Sequence, residues 1–147
     1  MFTLASRQLS IDNNAKIYAD VKTWCICKGF VDYICPQLYY SLDNPALTFE
    51  DSLTAWSNLD INKSVKLYVG LAGYKANSDA DEGTWLYSNN ILADEYKTAV
   101  NNEKVSGIML YSYSALIDEN ASTEIANLTK AMSNNLDAEN QTTVPIQ

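Results

Sequence analysis

The chain has 147 residues, of which 47% are hydrophobic and 11% aromatic, and its formal net charge is −8. This composition predicts one folded domain, and the acidic balance argues against nucleic acid or an anionic membrane as partner, because phosphate binding needs a basic face. The sequence contains no histidine, which excludes Ser-His-Asp and Cys-His nucleophile systems and HExxH zinc sites.

The cysteines and the apolar runs exclude further classes of protein. Cys25, Cys27 and Cys35 are odd in number and have no histidine partner, so we predict buried free thiols rather than a disulfide framework or a metal site. No run of about 18 apolar residues is present, as a membrane-spanning helix would require. The first ten residues lack the apolar segment of a signal peptide.

Predicted strands and helices alternate along the chain. The strands are short and rich in β-branched and aromatic residues, and the helices show apolar residues at helical spacing. In chain order these elements are a weak strand at Phe2–Leu4, a helix at Ala15–Lys28, a strand at Val31–Tyr39, a helix at Phe49–Leu59, a strand at Val65–Leu71, a helix at Asn90–Asn101, a strand at Gly107–Tyr113 and a helix at Ser122–Met132. The polar residues that follow predict a flexible tail.

This alternation predicts an α/β fold with parallel βαβ units. Two architectures fit: an open doubly wound sheet, and part of a (β/α)8 barrel. A complete barrel needs about 250 residues, so this chain holds about four of the eight units. Pro36 lies inside a predicted central strand, and because proline cannot donate to the ladder, we expect a local bulge there.

Alternation along the three strong strands gives each one an aliphatic face and a polar-aromatic face. The aliphatic faces hold Ile34, Pro36 and Leu38, then Leu67, Val69 and Leu71, then Ile108 and Leu110. The opposite faces hold Tyr33, Cys35, Gln37 and Tyr39, then Tyr68, Gly70, Ala72 and Tyr74, then Met109, Tyr111 and Tyr113. A doubly wound sheet buries both faces with aliphatic residues, so this asymmetry favours a barrel whose interior opens into a pocket.

The polar-aromatic residues lie where parallel strands end, which is where ligands bind in such folds. Tyrosine offers a flat apolar ring and a hydroxyl, and glutamine offers a donor and an acceptor; sugars have the matching C–H faces and hydroxyls. We therefore predict a saccharide pocket that contains Gln37, Tyr39, Tyr74 and Tyr111. The alternative is that these tyrosines fill a core and leave their hydroxyls at its edge.

The acidic residues near the strand ends do not form an evident catalytic pair. Glycosidases need two carboxyl groups about 5–9.5 Å apart, and Asp43, four residues after Tyr39, is the candidate that comes nearest to this requirement. We expect the acidic stretch around Asp79, Asp81 and Glu82 to be a solvated loop. No glycine-rich phosphate loop or metal motif occurs, so no cofactor and no metal are predicted.

Three blocks of the sequence resemble a known family. They are YADVKTWCICKGFVDYICPQLYYSLDNP, VKLYVGLAGYK and VSGIMLYSYSAL, within Tyr18–Leu116. In this order they are similar to the C-terminal part of the bacterial glycosyl-hydrolase-like family 10 domain, and DYICPQLYY at Asp32–Tyr40 is the most specific segment. The resemblance implies a partial (β/α)8 TIM barrel from about strand five or six to strand eight.

The resemblance also implies a domain division and a missing acid. Residues 1–133 would form the C-terminal half of the barrel, with Phe2–Ile11 as a remnant of strand five, and residues 134–147 a polar flexible tail. The family's acidic motif is expected at the end of strand four, before this chain begins, so the chain is expected to be inactive alone. Full-length members are expected to be extracellular or in the cell envelope.

A fainter similarity to the family 18 chitinases supports the same pocket. Their sixth strand ends in a pattern that Gln37 and Tyr39 match, their seventh has a Gly-x-x-x-Tyr pattern that Gly70 and Tyr74 match, and their eighth carries an aromatic residue where Tyr111 stands. The predicted substrate-binding residues are Gln37, Tyr39, Tyr40, Tyr74, Tyr111 and Tyr113.

Two saccharide-related functions therefore remain open at this stage, beside a third hypothesis that the chain is an unrelated open α/β domain with an interaction role. The first is part of a glycoside hydrolase-like domain that acts on or binds polysaccharide. The second is a non-catalytic carbohydrate-binding or scaffold module. In both, the expected partner is a polysaccharide or oligosaccharide, and because half a barrel exposes two sheet edges, we also expect a homodimer or association with an N-terminal half-barrel.

Overall fold

A computed structural model describes residues 3–5 and 20–142, with side chains for residues 20–136. The strands of the described residues are β1 (Thr3–Ala5), β2 (Tyr33–Gln37), β3 (Lys66–Ala72) and β4 (Val105–Tyr111). The regular helices are α1 (Val21–Ile26), α2 (Phe49–Ser57), α3 (Ile91–Val100) and α4 (Ser122–Thr142). Shorter helical turns lie at Gly73–Lys75, Ala80–Gly83, Tyr113–Leu116 and Glu119–Ala121.

The four strands form one sheet in the order β1-β2-β3-β4, and every neighbouring pair is parallel. This confirms the predicted alternation of helices with parallel strands. In the register of the sheet, Gln37 lies opposite Gly70, and Ala72 lies opposite Tyr111. The carboxyl ends of the three long strands therefore meet at one edge of the sheet.

The aliphatic faces of the strands pack against the helices, as the alternation predicted. Ile34 and Leu38 of the β2 segment and Leu67, Val69 and Leu71 of β3 belong to the buried core. The helices contribute to the same core through Phe49, Leu53, Trp56, Leu92, Tyr96, Ala99 and Leu128. On the opposite face the rings of Tyr33 and Tyr68 meet edge to face, with their centroids 5.6 Å apart.

Local hydrogen bonds explain where two of the helices begin. The Thr48 hydroxyl accepts from the backbone N–H of Asp51 at 3.0 Å and donates to the Asp51 carboxylate at 2.8 Å, which caps α2. Asp20 caps α1 by accepting from the N–H of Thr23 at 3.1 Å. The sequence predicted that this helix spans Ala15–Lys28; it ends at Ile26, and residues 15–19 lie outside the described residues.

Two local predictions were wrong. The helix expected to end at Met132 continues to Thr142, so most of the segment predicted as a flexible tail is helical; residues 143–147 lie outside the described residues. The bulge expected at Pro36 is absent from β2. Each paired residue of β2 lies the same number of positions from its partner, both along β1 and along β3, so no extra residue interrupts the strand. The irregularity of the sheet lies instead between β3 and β4, at Leu67 and Tyr68.

The cysteines agree with the prediction of buried free thiols at two positions of three. Cys25 and Cys35 are buried, and burial raises the pKa of each thiol to about 11. Cys27 is exposed, since it follows the last residue of α1 and lies off the face that packs on the core. Within residues 3–5 and 20–142, no helix has the length and apolar character needed to cross a membrane.

The N-terminus of α3 is capped by a side chain from another helix. The fully buried Glu124 of α4 accepts hydrogen bonds from the backbone N–H groups of Ile91 at 3.1 Å and Leu92 at 3.0 Å. It also accepts from the Ser88 hydroxyl at 2.7 Å. The carboxylate thus satisfies backbone donors that the helix itself cannot pair, and it lies at the end of the helix dipole that favours negative charge.

A second carboxyl group of the same region is buried without a hydrogen-bond partner. Glu95 of α3 is fully buried, and neither carboxyl oxygen is paired in the part of the chain that is described. Burial raises its pKa well above the ordinary value, and the charges of Glu124 and Asp81 raise it further, against the opposite effect of Lys75. Glu95 is therefore held in its neutral form at pH values where an exposed glutamate is ionised.

We predict that replacing Glu95→Gln stabilises the protein at neutral pH. Below about pH 4.5 the carboxyl is neutral in both the folded and the unfolded chain; above it the unfolded chain releases the proton first, so the free energy of unfolding falls as pH rises toward the folded pKa. Each unit by which the pKa is raised corresponds to about 1.4 kcal/mol. Urea denaturation between pH 4 and pH 8 measures the difference.

The exposed Glu103 provides the control, since Glu103→Gln makes the same chemical change at the surface and should not give the stabilisation at neutral pH that we expect from Glu95→Gln. Two results would contradict the assignment of Glu95 as a neutral buried acid. The Glu95→Gln protein could be less stable than the native protein at neutral pH, or its free energy of unfolding could differ from the native value by the same amount at every pH.

Candidate functional site

Three tyrosines from three successive strand ends meet at the carboxyl edge of the sheet. Tyr39 follows β2 by two residues, Tyr74 lies in the turn Gly73–Lys75 after β3, and Tyr111 is the last residue of β4. The Tyr39 and Tyr111 rings are stacked with centroids 5.9 Å apart, and the Tyr74 ring meets them edge to face at 5.9 Å and 6.0 Å. We call Tyr39, Tyr74 and Tyr111 the tyrosine cluster.

Gly70 lies close to the backbone of β2 and next to the Tyr39 ring. A Cβ atom at this position would lie 3.4 Å from a ring carbon of Tyr39 and 3.0 Å from the carbonyl oxygen of Pro36. The second distance is shorter than a side-chain carbon normally tolerates, and the backbone on the other side cannot move away easily. Glycine at this position therefore avoids a close contact with the backbone of β2, while the Tyr39 ring lies at an ordinary van der Waals distance above it.

The cluster combines protonated hydroxyls with accessible ring surface. Burial raises the pKa of Tyr39 to about 12, with smaller contributions from Cys35, Tyr74 and Tyr111. Burial and the nearby Asp81 charge also raise the pKa of Tyr74. Tyr111 is 56% exposed and Tyr74 is 51% exposed. At neutral pH the cluster thus offers apolar faces and hydroxyl donors, which suits a ligand that has both C–H faces and hydroxyl groups.

The remaining predicted site residues lie on β2, on the segment that follows it and in the turn after β4. Gln37 is half-buried at the end of β2, and Tyr40 is half-buried with the Lys75 Nζ atom 5.9 Å from its ring centroid. Tyr113 is 74% exposed in the turn that follows β4, and within residues 20–136 it makes no ring contact with the cluster. Asp43 is exposed in the loop after β2.

An ion pair beneath the cluster was not predicted. The Lys75 Nζ atom lies 2.7 Å from Asp81 Oδ1 and donates to the carbonyl oxygen of Tyr39 at 2.6 Å. The second oxygen, Asp81 Oδ2, accepts from Trp85 Nε1 at 2.9 Å and from the N–H of Ser41 at 3.4 Å. The expectation of a solvated loop was wrong for Asp81, whose side chain is 12% exposed because it packs against Lys75, Trp85 and the Ser41 backbone.

The sequence contained a signal for only one of these contacts, the hydrogen bond between Trp85 and Asp81, because the two residues are four positions apart. An aspartate and a tryptophan at that spacing can meet within one turn of chain. The Lys75 contact to Tyr39 spans 36 residues, and nothing in the local pattern pointed to it.

Neither of the two carboxyl groups with an altered pKa in this region meets the requirements of a glycosidase acid. Burial alone would raise the pKa of Asp81, but hydrogen bonds from Lys75 and Trp85 and the Lys75 charge outweigh it and lower the pKa below the ordinary value. A general acid needs the opposite shift. The pKa of Glu95 is raised, but its carboxyl is fully buried beneath the helices and cannot reach a bound substrate.

Comparison with known proteins finds one matching family and relatives that are all described as glycosyl hydrolases. The profile of the family described as Glycosyl hydrolase-like 10 matches residues 6–87, which include β2, β3 and two members of the tyrosine cluster. The glycosyl hydrolase YngK of Bacillus subtilis is 37% identical over 79 residues, which cover 54% of this chain and 15% of YngK. The glycosyl hydrolase DigH of Escherichia coli is 26% identical over 97 residues, which cover 64% of this chain and 22% of DigH.

The chain thus spans less than a quarter of the length of these curated relatives. The matched range ends at Tyr87, so the position of Tyr111 in the cluster is established by the geometry of β4 and not by the family profile. Because the profile matches more than half of the sequence, this chain belongs to the glycosyl hydrolase-like 10 family.

Proposed function

We propose that this chain supplies the C-terminal half of a (β/α)8-barrel glycoside hydrolase-like domain, whose tyrosine cluster binds polysaccharide. The observation that carries the proposal is the convergence of Tyr39, Tyr74 and Tyr111, with centroids about 6 Å apart, at the carboxyl edge of a parallel sheet. Ligands bind at this edge in parallel α/β folds and in barrels. Membership of a glycosyl hydrolase-like family supports a saccharide as the ligand.

The face of the sheet opposite the helices is only partly covered within the described residues, and this supports the barrel. Tyr33, Tyr68 and Met109 lie on the face opposite the helices and are only half-buried. In a closed barrel this face is filled by side chains from the remaining strands. Four strands are half the number that a closed barrel contains, and β1 and β4 are the edges of the sheet within the described residues. Residues 1–133 would then be the barrel half, and the polar residues from 134 on would continue α4 beyond it.

We propose that the saccharide site consists of the tyrosine cluster together with Gln37, Tyr40 and Tyr113. Gln37 adds an amide at the end of β2, and Tyr113 extends exposed aromatic surface beyond Tyr111. Asp43 is exposed on the loop that follows Tyr40 and is the remaining candidate for a carboxyl group that approaches substrate. The catalytic acid of the complete domain would come from a strand that these residues do not contain.

A non-catalytic carbohydrate-binding or scaffold module is the second candidate. It is favoured by the state of the two carboxyl groups described above: Asp81 is held ionised by Lys75, and Glu95 is inaccessible. Both candidates require saccharide binding, and they differ only in whether a protein that contains all eight strands turns over its ligand.

We predict that Tyr111→Ala weakens glycan binding by about tenfold. The stacked ring is the most exposed member of the cluster, and an aromatic face on a ligand contributes on the order of 1–2 kcal/mol. A glycan array identifies the ligands of the native chain, and calorimetry then gives the affinity for the strongest. Tyr87→Ala is the matched control, because Tyr87 is 90% exposed and lies outside the cluster. Equal affinities of the two variants would contradict the proposed site.

We expect no hydrolysis by this chain alone. The family's acidic catalytic motif is expected on strand four of the complete barrel, so we expect this chain to lack the pair of carboxyl groups that protonates the leaving group and activates water. Release of reducing ends from the array glycans measures turnover, and a longer protein with all eight strands should restore it. Sustained hydrolysis by the 147-residue chain would refute the proposed division of the catalytic residues.

We also expect the chain to self-associate or to bind an N-terminal half-barrel, because a partly covered sheet with free edges favours pairing. Sedimentation over a range of concentrations should show a dimer that Met109→Lys, on the face opposite the helices, weakens several-fold. Thr54→Lys, at an exposed position of α2, should not change the association. A folded monomer at every concentration would count against a half-barrel.

A further inference from the structure

Lys75 connects the chain segments that carry two of the three clustered tyrosines. Its backbone directly follows Tyr74 in the turn Gly73–Lys75, while its Nζ atom donates to the carbonyl oxygen of Tyr39 at 2.6 Å. The two tyrosine rings meet at 5.9 Å on the solvent side of this contact. The Lys75 side chain therefore adds a tie, beyond the pairing of β2 with β3, between the backbone of Tyr39 and the turn that carries Tyr74.

Asp81 holds the Lys75 side chain in this position. It forms the 2.7 Å ion pair through Oδ1, and its other oxygen is held by Trp85 Nε1 and the N–H of Ser41. Trp85 is fully buried and so is a fixed point. The side chains of Lys75 and Asp81 are 13% and 12% exposed, which weakens the screening that makes surface pairs nearly neutral in energy.

The backbone at Asp81, where the side chain pairs with Lys75, adopts an energetically unfavourable conformation. Asp81 and Glu82 have φ angles of 53° and 58°, in the left-handed region that non-glycine residues seldom occupy, and Gly83 follows with a φ of 83°. Such a conformation persists where surrounding contacts hold it. The Ser41 hydroxyl contacts the Thr84 hydroxyl at 2.7 Å and adds a further link between this turn and the loop after β2.

We infer that Lys75 and Asp81 form a clamp that positions Tyr39 and Tyr74 for ligand binding. Lys75 is a positioning residue, since it lies below the rings and reaches the site through the Tyr39 carbonyl oxygen. Tyr111 comes from β4 and is not tied to the clamp by a hydrogen bond from Lys75 or Asp81 within the described side chains. The inference rests on the proposed saccharide site for its functional consequence, whereas the effect on ring positions is independent of any ligand.

The experiment compares Lys75→Met with Lys97→Met in the full chain. Lys97 is the matched control, because it pairs with Asp94 at the same 2.7 Å but on an exposed helix surface. The first measurement is the nuclear Overhauser effect between the Tyr39 and Tyr74 ring protons, well below the melting temperature of either variant. The second is the affinity for chitohexaose and cellohexaose, used as soluble β-1,4-linked probes.

We expect Lys75→Met to lose the Tyr39–Tyr74 ring contact and to bind the probes about tenfold more weakly, because the ligand must then order two side chains that the clamp no longer holds. Lys97→Met should retain both properties. A Lys75→Met protein that is folded and keeps the ring contact overturns the clamp. Loss of the contact with unchanged affinity overturns its role in binding.

A second variant covers the case in which Lys75→Met does not fold. Asp81→Asn keeps the size of the side chain and an acceptor for Trp85 but removes the charge that holds Lys75. The ring contact and the probe affinity are then measured for Asp81→Asn. Loss of both supports the clamp, and a retained ring contact overturns it. If the native chain binds no glycan on the array, the saccharide proposal fails, while the ring contact still reports whether the clamp exists.

Discussion

Parallel pairing of the strands is the constraint on which the other features of this protein depend. Because each strand returns through a helix on the same side, the aliphatic side chains of β2 and β3 are covered by helices, and all carboxyl ends meet at one edge. Residues that are about 35 positions apart in the sequence thereby become neighbours. The tyrosine cluster exists because each of the three long strands places one aromatic residue at this shared edge.

The polar groups beneath that edge show how the fold treats buried charge. Asp81 is compensated by Lys75, Trp85 and the Ser41 backbone, and Glu124 is compensated by the first N–H groups of α3. Glu95 lacks such partners and is held neutral instead. These two outcomes follow the general rule that a buried carboxyl group is either paired or loses its charge. The carboxyl groups of Asp81, Glu95 and Glu124 therefore serve the scaffold.

Much of the fold and part of the candidate site followed from local patterns. The sequence predicted the strands, the α2 and α3 helices and the aliphatic faces. It could do so because the spacing of apolar residues along the chain shows which side of a helix or strand is buried. The predicted end of α4 was wrong. The polar residues at 134–142 suggested a flexible tail, but polar residues are also compatible with an exposed helix. The solvated loop at Asp81 was wrong because its partners, Lys75 and the Tyr39 carbonyl oxygen, lie on separate segments.

The sequence by itself determined the order of the elements, the side of each strand that faces the helices, and the presence of aromatic residues at strand ends. These properties depend on neighbours within a few positions, which is the range over which propensity and alternation act. Only the tertiary structure decided that three tyrosines touch, that Gly70 lies tightly against the Pro36 carbonyl oxygen, and that the Lys75–Asp81 ion pair contacts the Tyr39 backbone. Those contacts join distant segments, and their distances depend on the packing of the whole sheet.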